Sequence, residues 1–456
     1  MGRRSRCAYR RIRLLQALIA LSASIISPSA MKAQATDEGQ VLDALESASQ
    51  ALKSGRPGDA LQALDPIERL EPLNPWLWYY RGSAYYQRED YYRAIDCFDS
   101  TLDILDGLAD DDAGHPDPEL AEAARKLRRR ARQQVFSLSF QTGIAFDSNV
   151  SFQGSGTAGL DVITGRGDGV FGTGFNATYA PISDGQHRLE ISARLAHSWH
   201  FSVEEFDYQN YGASIDYARR LSDRWTAAIR YDYDFTYLGY DPFFSIHRLS
   251  PRLTYRWEAP VDFRLRPDET TVYYSFEGRD FRLQTIRAFD RDGTVHAVGM
   301  TQTFRSRPLV DHVWEWFWSL GYRYDSVFTD GTEFARRQHN FFMGLEIPLI
   351  DPRTRDHYKY LIFPDKELLF RFNTQWLIAD YSHHSIIDQN FDKRSDLIYS
   401  LGIALSQVLI DDPEFGEMVL HAVINWTDAD SNVTSEFGQP FTYDKTLYGL
   451  QLEWKW

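Results

Sequence analysis

The sequence predicts a small α-helical domain followed by an antiparallel transmembrane β-barrel of about fourteen strands. Three observations lead to this prediction. The hydrophobic period changes from helical to two near residue 135, a long series of two-periodic segments follows, and the last segment ends on an aromatic residue. Aromatic residues make up 15% of the chain although its mean hydropathy is −0.43, which is typical of barrels whose strands are apolar on one face only.

The first 35 residues have the layout of a secretory signal peptide. An arginine-rich head precedes the apolar stretch 14–26, and the pattern of Ala33 and Ala35 predicts cleavage after Ala35. The apolar stretch has 13 residues, fewer than the roughly 20 of a spanning helix. Cleavage would remove six arginines and one lysine and change the formal net charge from −15 to −22. So acidic a chain is not expected to bind nucleic acid.

Residues 36–134 are predicted to form helix pairs, because residues 37–105 repeat with a period of 34. Two repeats are expected at about 38–72 and 75–105, with a capping helix at 118–134. Small and large residues alternate at the positions where paired helices would approach: Ala60, Leu64, Trp78, Gly82, Tyr85, Ala94 and Phe98. This spacing resembles the tetratricopeptide repeat, and the resemblance implies a domain that binds peptides or other proteins.

The segment 106–118 is acidic and contains glycine and proline, so it is expected to be a solvated linker. Cys97 would be the only cysteine of the mature chain, which excludes an internal disulfide. It lies on an apolar helix face and is expected to be an inert buried thiol.

From residue 135 to residue 456 the pattern predicts the barrel. In the segment 224–238, Trp225, Ile229 and Tyr231 share one face, while Arg230 and Asp232 share the other. Side chains of a strand point to alternate sides, so one face is expected to meet lipid and the other the lumen.

Segments of this kind predict fourteen strands, although the boundaries leave 12 or 16 open. They lie near 135–148, 168–181, 187–201, 207–219, 224–238, 244–257, 270–283, 293–305, 312–326, 335–349, 366–381, 394–408, 416–428 and 443–456. An even number returns both ends of a barrel to one side of the membrane, expected to be the periplasm. Segment 350–365 is long for a periplasmic turn, so either the count slips before it or it packs in the lumen or against the helices.

The final segment is the strongest single indication of a barrel. Five large residues alternate strictly with others on it: Tyr448, Leu450, Leu452, Trp454 and Trp456. Outer-membrane barrels end on such a strand, which the barrel-assembly machinery recognises, so that machinery and outer-membrane lipids are expected partners.

No catalytic triad, phosphate loop or zinc motif has convincing spacing, so the sequence predicts no enzyme, no cofactor and no metal site. An enzyme with a few residues on the inner wall stays open. The predicted lumen face carries charges of both signs and is a candidate lining of a pathway: Arg194, Arg224, Arg230, Asp232, Asp234, Arg323 and Arg371. These charges could equally form salt bridges that support the wall.

The order of helical repeats and barrel resembles the surface lipoprotein assembly modifiers. The junction VFSLSFQTGIAFDSNVSF, with Asp147, Ser148, Asn149 and Val150 after the first strand, resembles the start of that family's barrel. The resemblance implies an outer-membrane translocator that moves a protein client, such as a lipoprotein, to the cell surface. In this arrangement the helices lie in the periplasm and capture the client.

Two other functions stay open. An exopolysaccharide-export porin also joins tetratricopeptide repeats to a barrel, and its cargo would be a polysaccharide. A general diffusion channel could use the helices only to bind a periplasmic protein. The identity of the client and the state of the pore do not follow from the sequence.

Overall fold

The computed structural model describes residues 28–110, 117–150, 167–258, 264–282, 287–306, 316–350, 367–388, 390–412, 415–433 and 441–456, with side chains from Gly39 onward. The chain divides into two compact units between Arg128 and Arg129. We call the first the helical unit and the second the barrel unit. The domain boundary predicted at residue 134 lies near the end of the helix that contains this division.

Within the described residues five helices precede the strands: α1 (Pro28–Lys53), α2 (Pro57–Leu70), α3 (Pro75–Gln87), α4 (Tyr91–Asp110) and α5 (Pro118–Val135). Proline stands at the start of α2 and of α3, where its missing N–H costs no hydrogen bond. The side chain of Asn74 caps α3 by accepting a hydrogen bond of 3.0 Å from the backbone N–H of Trp76. Gly55, at a φ of 69°, provides the left-handed turn between α1 and α2.

The core of the helical unit consists of small residues that let helices approach and large residues that fill the space between them. Ala48, Ala60, Leu64 and Ala84 are fully buried, and so is Phe98 of α4. A Cβ atom on Gly82 would lie 2.7 Å from the Phe98 ring, so α3 and α4 can pack this closely only with glycine there. The helix pairs predicted from the 34-residue period are therefore present.

Helix α4 extends further than the sequence indicated. It continues to Asp110, so residues 106–110 are helical and do not belong to a linker. Leu102 and Leu105 of α4 pack with Leu120 and Ala124 of α5, and this contact supports the extra turn despite its acidic composition. The rest of the predicted linker, 111–116, lies outside the described residues.

Fourteen strands follow: β1 (Phe136–Asp147), β2 (Asp168–Ser183), β3 (His187–His200), β4 (Tyr208–Arg220), β5 (Trp225–Leu238), β6 (Asp241–Arg256), β7 (Leu265–Phe281), β8 (Gly293–Ser306), β9 (Trp316–Thr329), β10 (Arg336–Ile350), β11 (Leu368–His384), β12 (Lys393–Asp412), β13 (Gly416–Ser431) and β14 (Tyr443–Lys455). They form one closed barrel, in chain order, and all neighbouring strands are antiparallel. The prediction of fourteen strands is confirmed.

The barrel closes where β1 pairs with β14. Ile144 stands opposite Leu450 in this pair, and Leu138 and Trp456 exchange two backbone hydrogen bonds of 2.9 Å. Closure leaves no strand edge without a partner, which is the condition for strands to cross a bilayer. We call the end where β1 begins and β14 ends the proximal end, and the opposite end the distal end.

Most strand boundaries agree with the predicted ones within three residues, and three do not. Strand β7 begins at Leu265 instead of 270, because the register shifts between Pro267 and Thr270 and interrupts the alternation. Strand β12 continues to Asp412 instead of 408, past a similar shift between Val408 and Ile410. Strand β9 begins at Trp316 instead of 312, and the four residues before Trp316 lie outside the described chain.

The outer face of the barrel is apolar, and its large side chains are exposed. Ile144 is 59% exposed, Val298 54% and Ile424 52%, whereas inward residues such as Val295 and Ala297 are nearly inaccessible. An exposed apolar surface around a closed barrel indicates contact with lipid. The alternation read from the sequence of β5 is confirmed, because Ile229 and Tyr231 are exposed while Asp232 is buried.

Four histidines lie next to tyrosines of the adjacent strand, and each Nδ1 is within hydrogen-bond distance of a tyrosine Oη. The distances are between 2.7 and 2.8 Å, and the pairs are His187–Tyr217, His247–Tyr231, His296–Tyr274 and His339–Tyr322. A polar ring atom that faces lipid has no water to bond with, so a tyrosine partner makes histidine tolerable there.

Candidate functional site

The inner wall of the barrel holds charged side chains from many of its strands. Alternation sends every second residue inward, and a charge on the outer face would have to be transferred into lipid at a high cost. Several inward acidic residues are almost inaccessible: Asp232 is 4% exposed, Glu277 2% and Asp325 1%. Buried carboxylates require hydrogen-bonded partners, and in this wall the partners are arginines.

The charge patch on β3, β4 and β5 contains four of the seven predicted lumen residues. Arg194 Nη2 lies 2.6 Å from Asp234 Oδ1, and Arg230 Nε lies 2.8 Å from Asp232 Oδ1. The first pair connects β3 with β5 and passes over Gly212 of β4, which has no side chain in the way. A cavity of about 200 Å³ adjoins this patch.

Two further predicted residues also form ion pairs. Arg323 Nε lies 2.5 Å from Asp325 Oδ1, and Gln338 Nε2 donates a hydrogen bond of 2.6 Å to the other oxygen of that carboxylate. Arg371 Nε lies 3.0 Å from Glu346 Oε2 on the neighbouring strand. Each of these arginines is therefore tied to the wall by a carboxylate.

Arg224, the seventh predicted lumen residue, lies elsewhere. It stands in the turn before β5 at the proximal end, where it pairs with Glu258 and donates a hydrogen bond of 3.4 Å to Tyr255 Oη. Its side chain is 48% exposed. The ring of Tyr255 packs against Trp225, a residue of the outer face, so Arg224 reaches the rim of the barrel and not the charge patch.

The structure adds wall residues that the sequence analysis did not single out. Arg248 and Arg279 flank Glu277, with N–O distances of 2.8 and 2.5 Å. Near the proximal end, His421 Nε2 and Glu453 Oε2 are 3.1 Å apart. All of these residues occupy inward positions of their strands, so the alternation could have identified them, whereas their pairing depends on strand register.

The arrangement of ion pairs determines how the inner wall can interact with a solute. Within each ion pair the charges cancel locally, while the arginine side chains stay partly exposed, Arg194 at 40% and Arg230 at 35%, and can contact water or a polar solute. Such a wall can line an aqueous path without attracting one sign of charge strongly. In the described residues no group of three or more histidine, cysteine or acidic side chains is suited to hold a metal ion.

The helical unit contains the seven residues predicted to pack the repeats. Ala60, Leu64, Gly82, Ala94 and Phe98 are buried in it. Trp78 and Tyr85 are partly buried, and Trp78 Nε1 donates a hydrogen bond of 2.9 Å to the carbonyl oxygen of Pro72. In the described chain no helix is long and apolar enough to span a membrane.

An aromatic patch on α3 is the most distinctive surface of the helical unit, and we define it as Trp76, Tyr79 and Tyr80. The three rings contact each other with centroid distances of 5.6 to 5.9 Å. Tyr79 also connects the patch to the core, with its ring 6.2 Å from Phe98, and burial raises the pKa of Tyr79. Leu73, three residues before Trp76, is 76% exposed. Aromatic residues with adjacent apolar surface are common anchors in protein interfaces.

A charged cluster adjoins the aromatic patch on α3. Arg81 Nη2 lies 2.7 Å from Glu68 Oε2 and 3.5 Å from Asp65 Oδ1. The hydrogen bond from Arg81 lowers the pKa of Glu68, so this carboxylate stays ionised in mildly acidic conditions. The cluster holds α2 against α3 from the solvent side.

Cys97 lies in the core of the helical unit, and its thiol is free. Burial raises the pKa of Cys97 to about 12. A protonated, inaccessible thiol is a poor nucleophile.

The five predicted residues of the last strand segment alternate with the inward residues Gln451 and Glu453. Four of the five are exposed on the outer face: Tyr448, Leu450, Trp454 and Trp456, while Leu452 is partly exposed. The Trp456 ring contacts the Phe136 ring at 6.0 Å across the closing strand pair. The predicted cleavage pair, Ala33 and Ala35, lies in α1, in the part without described side chains, and cleavage there stays a prediction.

Comparison with known proteins identifies no family. No protein-family model matches the chain, and no curated protein matches it. Among solved structures it is similar to CdiB from Acinetobacter baumannii, with 8% identity, a TM-score of 0.33, and coverage of 70% of this chain and 60% of CdiB. It is also similar to the outer membrane protein OprD from Pseudomonas aeruginosa, with 8% identity, a TM-score of 0.33, and coverage of 70% and 93%.

A bacterial polysaccharide outer membrane secretin is similar at the same level, with 10% identity, a TM-score of 0.35, and coverage of 71% of this chain and 98% of that one. Scores this low carry no argument about function. The class of protein therefore follows from the molecule itself. A closed, antiparallel, fourteen-stranded barrel with an apolar outer face and a charged inner wall is an outer-membrane β-barrel protein, here with a helical unit before the barrel.

Proposed function

We propose that this protein is an outer-membrane translocator in which the helical unit lies in the periplasm, captures a protein client and delivers it to the barrel for display on the cell surface. The client we propose is a lipoprotein. The observation that carries the proposal is that one chain joins a helical unit, whose aromatic patch exposes Trp76, to a barrel whose inner wall is polar. A passive pore has no evident use for a protein-binding surface.

The aromatic patch supports client capture on physical grounds. Trp76 is 36% exposed and Leu73 76%, so apolar area is available to a partner at little cost in desolvation. Tyr79 is fixed to the core through Phe98, which limits the entropy lost when a partner binds. The charged cluster at Arg81 beside the patch could add orientation.

The inner wall supports passage of a polar chain. On β3, β5 and β9 the ion pairs of the wall satisfy one another, so a segment that passes there need not break a strong single-sign attraction in order to leave. Water-filled barrels conduct solutes when binding in the path is weak, and such a wall has that property.

A test uses the full-length protein with one substitution in the aromatic patch. Trp76→Ala should reduce display of the client at the cell surface about tenfold, while the amount of folded barrel stays the same, because a large interface anchor is lost. Tyr92→Ala is the matched control, since Tyr92 is 37% exposed on the same unit but lies at the start of α4, outside the patch. Equal display in the two variants would overturn client capture by the patch.

A further inference from the structure

A cavity of about 230 Å³ lies on the inner face of the barrel at its distal end. The distal ends of β7, β9, β10, β11, β12 and β14 surround it, with residues from the segments before β8, β10 and β14. Five charged side chains line it, four arginines and one aspartate: Arg279, Arg291, Arg336, Arg394 and Asp396. We call this cavity the distal arginine pocket.

Two of the arginines have carboxylate partners. Arg394 makes two hydrogen bonds to Asp396, of 2.8 and 2.6 Å. Arg279 Nε lies 2.5 Å from Glu277 Oε1, but Glu277 also pairs with Arg248 at 2.8 Å. The negative charge near the pocket is therefore already shared among more arginines than carboxylates.

The other two arginines, Arg291 and Arg336, have no carboxylate within ion-pair distance among the residues that the structure describes. Arg336 Nε donates a hydrogen bond of 2.8 Å to Gln338. The Nε atom of Arg291 is buried and has no hydrogen-bond partner in the described part of the chain. A buried cation without a counter-charge is costly, and it marks a place where an anion would be favourable.

Aromatic rings hold the guanidinium groups without neutralising them. Arg291 lies 4.1 Å from the Phe334 ring centroid, and Arg394 lies 3.3 Å from that of Phe441 and 4.4 Å from that of Tyr381. Stacking uses the face of a planar guanidinium, so the N–H groups at the edge of Arg291 stay directed into the pocket, whereas those of Arg394 are occupied by Asp396. The edge of Arg291 presents the paired donors that a carboxylate or phosphate accepts.

The charge state of Arg291 agrees with this geometry. Burial, followed by repulsion from Arg336, lowers the pKa of Arg291 to about 10. The group remains cationic at neutral pH, and a bound anion would relieve both the burial and the repulsion.

We propose that the distal arginine pocket binds an oxyanion, a carboxylate or a phosphate carried on a small solute such as a single sugar unit. Arg291 and Arg336 would hold the oxyanion, and Phe281, Phe334 and Tyr443 would surround the body that carries it. The pocket lies within the barrel unit, so this inference goes beyond the translocator proposal and does not depend on any client.

The test is calorimetric titration of the purified full-length protein in detergent. The probes are glucuronate, glucose 6-phosphate, inorganic phosphate and uncharged glucose. We expect saturable binding of at least one charged sugar and none of glucose, and the tighter of the two charged sugars identifies carboxylate or phosphate as the preferred group. Arg291→Gln and Arg336→Gln should each raise Kd about tenfold or more, because each removes charged donors from the oxyanion.

Arg337→Gln is the matched control, because Arg337 is the next residue of β10 and is exposed on the opposite face of the strand. It should leave Kd unchanged. If a glutamine variant does not fold, Arg291→Lys and Arg336→Lys retain the charge, and each should raise Kd less than tenfold. Absence of saturable binding for all charged probes, equal binding of glucose, or an equal effect of Arg337→Gln would overturn the proposal. The titration is independent of surface display, so its failure would leave the translocator proposal intact.

Discussion

Gly212 of β4 determines whether two charged side chains of the wall can meet. A Cβ atom at this position would lie 2.5 Å from Arg194 Nε and 2.8 Å from Asp234 Oδ1. The ion pair that crosses β4 therefore depends on a residue that takes no part in it. Sequence alternation places Arg194 and Asp234 on one face, but only the register of three strands shows that Gly212 lies between them.

Substitution of Gly212 by valine should break the Arg194–Asp234 pair. We expect Gly212→Val to destabilise the barrel by about 1–3 kcal/mol, because the added methyl groups overlap the pair. Gly172→Val is the control, since Gly172 is also inward and the nearest atom to its added Cβ would be 3.8 Å away. Urea unfolding in detergent measures both, and equal losses would contradict a specific role for Gly212.

Because of Cys97, the stability of the helical unit depends on pH in the alkaline range. Its pKa is raised from 9.0 to about 12, so the protonated thiol is favoured in the folded state. The corresponding stability is present below pH 9 and is lost as the pH rises from about 9 to 12, because the unfolded chain gains by ionising. The loss should be about 1.4 kcal/mol for each pH unit above 9 within this range.

The measurement is helix unfolding, followed by circular dichroism, at pH 8 and pH 10.5. A protein without Cys7 is compared with the same protein carrying Cys97→Ala, because the two share all other titrating groups. A pH dependence that is the same in both proteins would refute the assignment. Folded protein should also react with iodoacetamide far more slowly than unfolded protein at pH 8.

At the scale of elements, helices α3 and α4 pack through one glycine and one phenylalanine. Gly82→Ala places a Cβ atom within 2.7 to 3.0 Å of three atoms of the Phe98 ring, so we expect a loss of about 1–3 kcal/mol. Gly58→Ala is the control, because nothing lies within 4 Å of its added Cβ, and alanine favours a helix. Phe98→Leu, which shortens the side chain, is then combined with Gly82→Ala. If the double variant does not regain part of the lost stability, the contact with the Phe98 ring is not the cause of the loss.

Strand β14 closes the barrel and is the element whose role in assembly can be tested. Trp456→Ala removes the contact with Phe136 and the terminal aromatic residue, and we expect a severalfold lower yield of heat-modifiable, folded barrel in cells. Trp225→Ala is the control, because Trp225 is 41% exposed at the same proximal end but belongs to β5. Equal yields from the two variants would contradict a special role of the last strand.

The strands could be predicted because lipid on one side and the lumen on the other impose a period of two over a long stretch. Two of the three boundaries that differ from the prediction lie at Pro267 and near Val408, where the register shifts and the period is interrupted. Helix α4 was predicted too short because the acidic residues 106–110 look like a loop when the packing partners Leu120 and Ala124 are not known. Local pattern therefore predicted the elements, and tertiary contacts determined where they end.

In the whole molecule the candidate sites follow the same rule: local pattern predicts which residues face inward, and tertiary contacts determine their partners. The sequence indicated that Arg194, Arg230 and Arg323 face inward, but their ion-pair partners follow from the closed barrel. The distal arginine pocket collects Arg291 and Arg394 from positions about a hundred residues apart, so no local motif could announce it. Arg224 could not be distinguished from the wall by alternation alone, because it stands in a turn at the rim.

We propose that the helical unit and the barrel act together on a protein client. The measurement to make first compares the protease-shaved surface proteome and the surface glycans of cells with and without this protein. We expect particular proteins, lipoproteins among them, to disappear from the surface while their periplasmic pools remain. An unchanged surface proteome would contradict it, and a missing polymer in the same cells would show that the barrel exports polysaccharide instead.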